Sequence, residues 1–265
     1  MPARFRGIFV PGYLNRLSPE NLCCKRLPGA ISVQSIPHGP VYPAGLPQRA
    51  GHLYVSQHER LSSSVIHTMK CLVVIAHPLT DSACHAMAHS AVDALTKAGH
   101  EVQIEDLYQS EFSPSLTTSE RRSYYGPTFD SAAVQSQADR LLSAEAIVLV
   151  FPTWWFSFPA ILKGWFDRVW APGIAYDHAS DLGPIKPRLH KLGKTLAITS
   201  LGSPWWVDRL VLWQPVKRVL KTALLGTCAP ACRFEMLSLY KAEHLAPAEI
   251  ELFCSRIQRV LAKWS

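Results

Sequence analysis

What the chain lacks narrows its function before any motif is considered. No stretch of its 265 residues approaches the roughly 20 consecutive apolar residues of a membrane-spanning helix, so no membrane insertion is expected. Acidic residues are nearly missing from the first quarter. Residues 1–68 hold seven basic side chains (Arg4, Arg6, Arg16, Lys25, Arg26, Arg49, Arg60) against Glu20 and Glu59, a local charge of +5 within a total of +7. The pI near 9.1 thus belongs largely to that segment. The nearly neutral remainder carries no basic stripe, which argues against nucleic acid as a partner.

A disulfide framework is missing as well. The seven cysteines are Cys23, Cys24, Cys71, Cys84, Cys228, Cys232 and Cys254, an odd number, with Cys71 inside an apparent buried strand. Cys228 and Cys232 stand four apart, but no second Cys or His pair follows at zinc-site spacing, so no metal site is expected. Reduced thiols in a cytoplasmic protein are the reading. Internal repeats and low-complexity tracts are also missing.

Residues 1–68 contain eight of the 20 prolines and show no helical or strand periodicity. Such a composition cannot offset its ordering entropy by burial. The arginines without acids have a transit-peptide flavour, but the prolines oppose the amphipathic helix such a peptide needs. The expectation is a disordered extension, or a start placed ahead of the true one at Met69, which opens a 197-residue domain spanning 69–265.

From Lys70 the pattern alternates. Short β-branched apolar runs at Cys71–Ala76 and Ala146–Phe151 read as strands buried on both faces. Glu101–Leu107, Thr195–Thr199 and Arg233–Tyr240 complete five strands. Helices are expected over Ser82–Lys97, with Ser82 as N-cap and Gly99 closing the end, and over Val134–Ala144, Pro159–Trp170, Val211–Leu225 and Pro247–Trp264. Five strands alternating with helices give an α/β doubly wound parallel sheet with helices on both faces.

In such a sheet ligands bind beyond the carboxyl ends of the strands, where strand order reverses. For order 2-1-3-4-5 the crevice is built by the loops after strands 1, 3 and 4. After strand 1, His77-Pro78-Leu79-Thr80-Asp81-Ser82 leads straight into a helix N-terminus, suited to a phosphate or pyrophosphate. GxGxxG and GxxxxGK[ST] are both missing from this turn. Taken alone, Ser82 as a plain N-cap and His77 as a packing residue explain it equally well. After strand 3, Thr153-Trp154-Trp155-Phe156-Ser157-Phe158 concentrates aromatic side chains on one loop, as a flat ligand such as an isoalloxazine would need. A local core or dimer contact is the plainer alternative. Strand 4 ends in Thr199-Ser200-Leu201-Gly202, small residues that let backbone approach a ligand.

These residues resemble the NAD(P)H quinone reductase (DT-diaphorase-like) family of flavodoxin-like proteins. Phe151–Val169 (FPTWWFSFPAILKGWFDRV) is close to its signature FP-x-x-WF-x-x-PA-x-LKGW-x-[DE]-RV, Leu72–Pro78 to its first strand, and Asp106-Leu107-Tyr108 to its DLY. The resemblance implies that His77, Ser82 and Cys84 hold the cofactor phosphates, that Pro152, Thr153, Trp154, Trp155 and Phe156 hold the isoalloxazine, and that Thr199, Ser200 and Gly202 line its far side. It implies FAD, with FMN possible, NAD(P)H as hydride donor, a homodimer, and ping-pong two-electron reduction of a quinone or similar small acceptor. Two departures stand out. Ser82-Ala83-Cys84 replaces the usual Ser-x-Asn, and a thiol is a poorer donor than an amide. Ser203–Gln214 lacks the Tyr and His that the mammalian quinone reductases carry after strand 4, so no catalytic side chain is assigned. Two other readings share the fold: a regulatory flavoprotein subunit of a membrane transport system, and a flavodoxin-type electron carrier. The +2 domain fits poorly with the acidic surface usual in such carriers.

Overall fold

The computed structural model describes residues 68–179 and 184–264. The expectations for the first 67 residues therefore lie outside the described part, as do Cys23 and Cys24. Along the chain come β1 (Lys70–Ile75), α1 (Ala83–Lys97), β2 (Glu101–Asp106), α2 (Thr118–Ser123), α3 (Gln135–Ser143), β3 (Ala146–Pro152), α4 (Ala160–Val169), β4 (Tyr176–Asp177), β5 (Lys186–Pro187), β6 (Lys194–Leu201), α5 (Pro215–Arg218), α6 (Gly226–Cys228), β7 (Arg233–Tyr240) and α7 (Pro247–Leu261).

Five strands form one parallel sheet in the order β2-β1-β3-β6-β7, and β4 pairs with β5 as a separate antiparallel ribbon. The expected sheet is present, with β6 and β7 as its fourth and fifth strands. Side chains alternate across it with period two. Leu72, Val74, Ile147, Leu149 and Phe151 enter one core layer with α3 and α4. Cys71, Val73, Ile75, Val148 and Val150 enter the other, beneath α1 and α7. Each large side chain so buried contributes about 1.5–3 kcal/mol. β3 along its whole length, and β1 after the exposed Lys70, are apolar because both faces are covered. The outer β2 leaves Ile104 55% exposed.

Three local features differ from the sequence reading. Thr117 and Glu120 form a reciprocal capping box that starts α2, an element the alternation did not reveal. Pro159 is the N-cap of α4 and not its first helical residue. The expected Val211–Leu225 helix is split. A π-helical turn at Val207–Val211 is followed by Trp213 and Gln214 in the left-handed region (φ 60° and 50°), and the helix restarts at Pro215. Proline disfavours the right-handed α region for the residue before it, so Gln214 cannot continue the turn. Among the described residues no helix is long and apolar enough to cross a membrane.

Candidate functional site

The three loops singled out by the sequence meet at the carboxyl edge of the sheet, and side chains stitch them together. The rings of His77, after β1, and Trp154, after β3, lie 6.4 Å apart. Thr153 donates its backbone N–H to the Ser200 carbonyl at 2.8 Å, and its hydroxyl meets that of Thr199 at 2.6 Å, joining β3 to β6. The Cys84 thiol, at the start of α1, lies 3.7 Å from the Ser200 hydroxyl.

The turn after β1 is organised by its own backbone. His77 Nδ1 lies 3.1 Å from both the N–H and the carbonyl of Leu79, which leaves Nε2 for a ligand. Burial, aided by the nearby His85, holds the His77 imidazole below its ordinary value despite the Leu79 contact, so it is neutral at pH 7. Ser82 is the N-cap as expected, its Oγ accepting from the His85 N–H at 3.4 Å. A helix leaves its first N–H groups without internal acceptors. With the third taken by Ser82, those of Ala83 and Cys84 face the mouth of the turn.

Beyond β3 the chain makes a tight reversal in which Trp154 and Ser157 exchange two backbone hydrogen bonds, at 3.2 and 2.9 Å. Its central residues, Trp155 and Phe156, both have positive φ (52° and 55°), the type I′ geometry normally filled by Asn-Gly. Two aromatic residues in the left-handed region cost on the order of 1–3 kcal/mol each. Trp155 is not held there by burial, since it is 81% exposed, whereas Phe156 is half-buried. Beyond β6, Gly202 lies so close to the Glu243 carboxylate that a Cβ would sit 2.6 Å from Oε1. The next residue, Ser203, has a buried hydroxyl that meets no hydrogen-bond partner.

Of the eleven residues singled out, His77, Ser82, Thr153, Trp154, Trp155, Phe156 and Gly202 have exposed or half-buried positions around the crevice. Pro152, Thr199 and Ser200 are buried at the ends of β3 and β6. Cys84 differs from the expectation of a thiol facing the phosphates. Its side chain is 2% exposed and packs in the α1–α7 layer. Burial pushes the thiol up to about 11, partly offset by Ser200, so it is fully protonated at neutral pH. Only its backbone N–H is placed to serve a ligand.

Two functional neighbours escaped the sequence reading. His85, 4% exposed, places Nε2 2.8 Å from Asp106 Oδ2 at the end of β2, and its Nδ1 is 3.2 Å from Ser82 Oγ. Asp208, 4% exposed, accepts from the Tyr240 hydroxyl at 2.8 Å and pins the segment after β6 to the end of β7. The DLY match contained Asp106, but nothing local to it pointed to His85.

A flavin fits these residues: open helix N–H groups and hydroxyls for phosphate, exposed aromatics for a flat ring, and an orphaned Ser203 hydroxyl at the far rim. Residues 69–249 match the family model described as a flavodoxin-like fold. The chain belongs to that family.

Among flavodoxin-like relatives, the chain is 35% identical to NAD(P)H dehydrogenase (quinone) 1 of Rattus norvegicus over 153 residues, which is 51% of this chain and 54% of the rat protein. It is 39% identical over 114 residues to the uncharacterized NAD(P)H oxidoreductase YcaK of Escherichia coli, covering 39% of this chain and 54% of that one. The chain spans about half the length of the curated relatives it matches. The crystal structure of Smu.1420 from Streptococcus mutans superposes with a TM-score of 0.64 at 26% identity, over 74% of this chain and all of that one.

Proposed function

We propose that this chain is a flavin-dependent NAD(P)H oxidoreductase that reduces a quinone or similar small electrophilic acceptor by two electrons in a ping-pong cycle. The observation that carries the reading is the strained Trp155–Phe156 turn, with Trp155 exposed, set beside His77 and the open N-terminus of α1. Strain without burial is retained where a ligand repays it.

The residue assignment is the one the family resemblance implies, and the geometry above supports it. Ser82, His77 Nε2 and the N–H groups of Ala83 and Cys84 would hold the phosphates of FAD, or of FMN. Pro152, Thr153, Trp154, Trp155 and Phe156 would hold the isoalloxazine, with Thr199, Ser200 and Gly202 shaping its far side. Bound there, the flavin would supply hydride acceptance from NAD(P)H and hydride donation to the acceptor. The chain's own contribution is to orient the ring and keep water from its face. No titratable side chain is assigned to proton transfer.

A homodimer is part of this proposal. Trp205, Trp206, Leu210, Trp213 and Val219 leave large apolar surfaces in solvent on one segment after β6. Exposed apolar side chains gathered on one segment support an interface there. The test is the absorbance spectrum of the purified protein, mass analysis of the released cofactor, and steady-state NADH and NADPH oxidation with a quinone. A colourless protein that acquires no flavin on dialysis against FAD or FMN would reject the reading. Flavin retention without turnover would move it to the carrier or regulatory alternatives.

A further inference from the structure

We propose that His85 is a positioning residue that couples flavin phosphate binding to uptake of one proton, by deciding whether the Ser82 hydroxyl can donate to the ligand. This inference rests on the flavin reading above.

The hydrogen-bond directions along the chain Ser82–His85–Asp106 are constrained. Asp106 Oδ1 accepts the N–H groups of Tyr108 and Gln109, at 3.0 and 3.1 Å. Its Oδ2 lies 2.8 Å from His85 Nε2 and accepts the proton there, so a neutral His85 carries a lone pair on Nδ1. Ser82 Oγ, 3.2 Å from Nδ1, also receives the His85 backbone N–H. A hydroxyl has one proton. With His85 neutral, that proton is committed to Nδ1, and Ser82 turns only lone pairs toward the mouth of α1. With His85 protonated, Nδ1–H donates to Ser82 Oγ, and the hydroxyl proton is free to point at an anion. The imidazolium also sets a positive charge behind the phosphate position. Anion and proton therefore favour each other, and by linkage the anion binds more tightly as pH falls.

The titratable groups in contact with His85 are Asp106, at 2.8 Å, and His77, which itself feels the charges of Asp81 and Asp106. His77 is the competing titrating group, its ring 6.4 Å from that of His85. Its Nδ1 is engaged by Leu79 and not by Ser82, so it cannot gate the hydroxyl.

FAD is the suitable probe, because its diphosphate diester keeps a constant charge where histidine titrates, between about pH 5 and 8. A terminal phosphate such as that of FMN titrates near pH 6 and would confuse the result. Riboflavin, without phosphate, is the control. Equilibrium dialysis of the full-length protein across a pH series should show FAD affinity about tenfold lower at the high-pH limit than at the low-pH limit, while riboflavin affinity stays flat. His85→Gln should abolish the dependence, leaving FAD affinity near its value at high pH, whereas His77→Gln should preserve it. If His85→Gln does not fold, calorimetry of His77→Gln in buffers of different ionisation enthalpy still decides: with the competing imidazole removed, FAD binding should take up a proton and riboflavin binding should not. FAD affinity independent of pH, or equal proton uptake with both ligands, overturns the role of His85 and leaves the flavin reading standing. No binding of FAD or riboflavin at any pH overturns both.

Discussion

Replacing Trp155 by asparagine separates a ligand-stacking residue from a core residue by moving two observables in different directions. Trp155 sits at φ 52° in the first central position of the I′ turn and is 81% exposed. Asparagine tolerates the left-handed region, so the substitution relieves on the order of 1–2 kcal/mol of backbone cost. About a fifth of the side chain is buried. With roughly 250 Å² at stake for a whole tryptophan and about 25 cal/mol per Å², the lost burial costs on the order of 1 kcal/mol. The two effects nearly cancel. For a domain of this size 1 kcal/mol corresponds to about 2–4 °C, so the flavin-free protein should melt within about 4 °C of wild type. Stacking on a flat ring contributes on the order of 1–3 kcal/mol, by analogy with nucleobases, so FAD affinity should drop about tenfold to a hundredfold.

Melting must be compared on flavin-free samples, because bound flavin itself raises Tm by mass action. Equilibrium dialysis then gives the affinity on the same preparations. A fall in Tm of about 10 °C with FAD affinity intact would mean that Trp155 holds the fold together. The reading of the turn as strain retained for a ligand would then be wrong.

Three further predictions concern the scaffold. In Gly164→Ala, the new Cβ would collide with the Pro114 carbonyl oxygen and lie 2.5 Å from Pro114 Cα, so backbone must move; a loss of about 3 kcal/mol or more is expected in denaturant unfolding, and an unchanged midpoint would contradict the packing. The Cys84 thiol, raised to about 11 by burial, should resist iodoacetamide at pH 7 in the native state, and Cys84→Asn should destabilise by about 1–3 kcal/mol without tightening FAD binding. Tighter binding would instead place that side chain at the phosphates. For Glu120, burial alone would raise the carboxyl, but hydrogen bonds from Arg168 and Thr117 outweigh it and leave it below its ordinary value. Its stabilisation is thus present above about pH 4.3, the ordinary glutamate value, and lost as pH falls through the lower folded value. Glu120→Gln should flatten the acid limb of a stability-versus-pH curve, and an unaltered limb would remove the pair from the account.

The sheet was legible because its central strands are short β-branched runs buried on both faces, and the crevice was legible because helix caps, aromatics and small residues cluster in three loops. What stayed hidden depends on distant or very local geometry. His85 and Asp106 lie 21 residues apart and meet only because β1 and β2 pair in the register that sets Ile75 opposite Asp106. The direction of the Cys84 side chain turns on the rotation of α1 about its axis. The Thr117–Glu120 box, by contrast, is a T-x-x-E signature readable in the sequence, and it would have found α2.

The long signature after β3 divides into two halves with different duties. Its second half is scaffold. Gly164 admits the Pro114 backbone, Trp165 donates its indole N–H to Glu105 at 3.0 Å, and Arg168 forks onto Glu120 at 2.7 and 2.9 Å from within the core. These contacts clamp α4 to β2 and to the segment after it, and so fix where the Trp154–Ser157 turn emerges. The first half, Pro152 to Phe156, carries the loop at the carboxyl edge of the sheet, where the flat-ring subsite is proposed. A match to the signature therefore accounts for a placed turn and a stacking surface. Under the proposed function, any choice among acceptors has to come from outside it, and the Trp205–Trp213 segment, held by Asp208 and Tyr240, sets exposed Trp205, Trp206 and Trp213 beside the third loop.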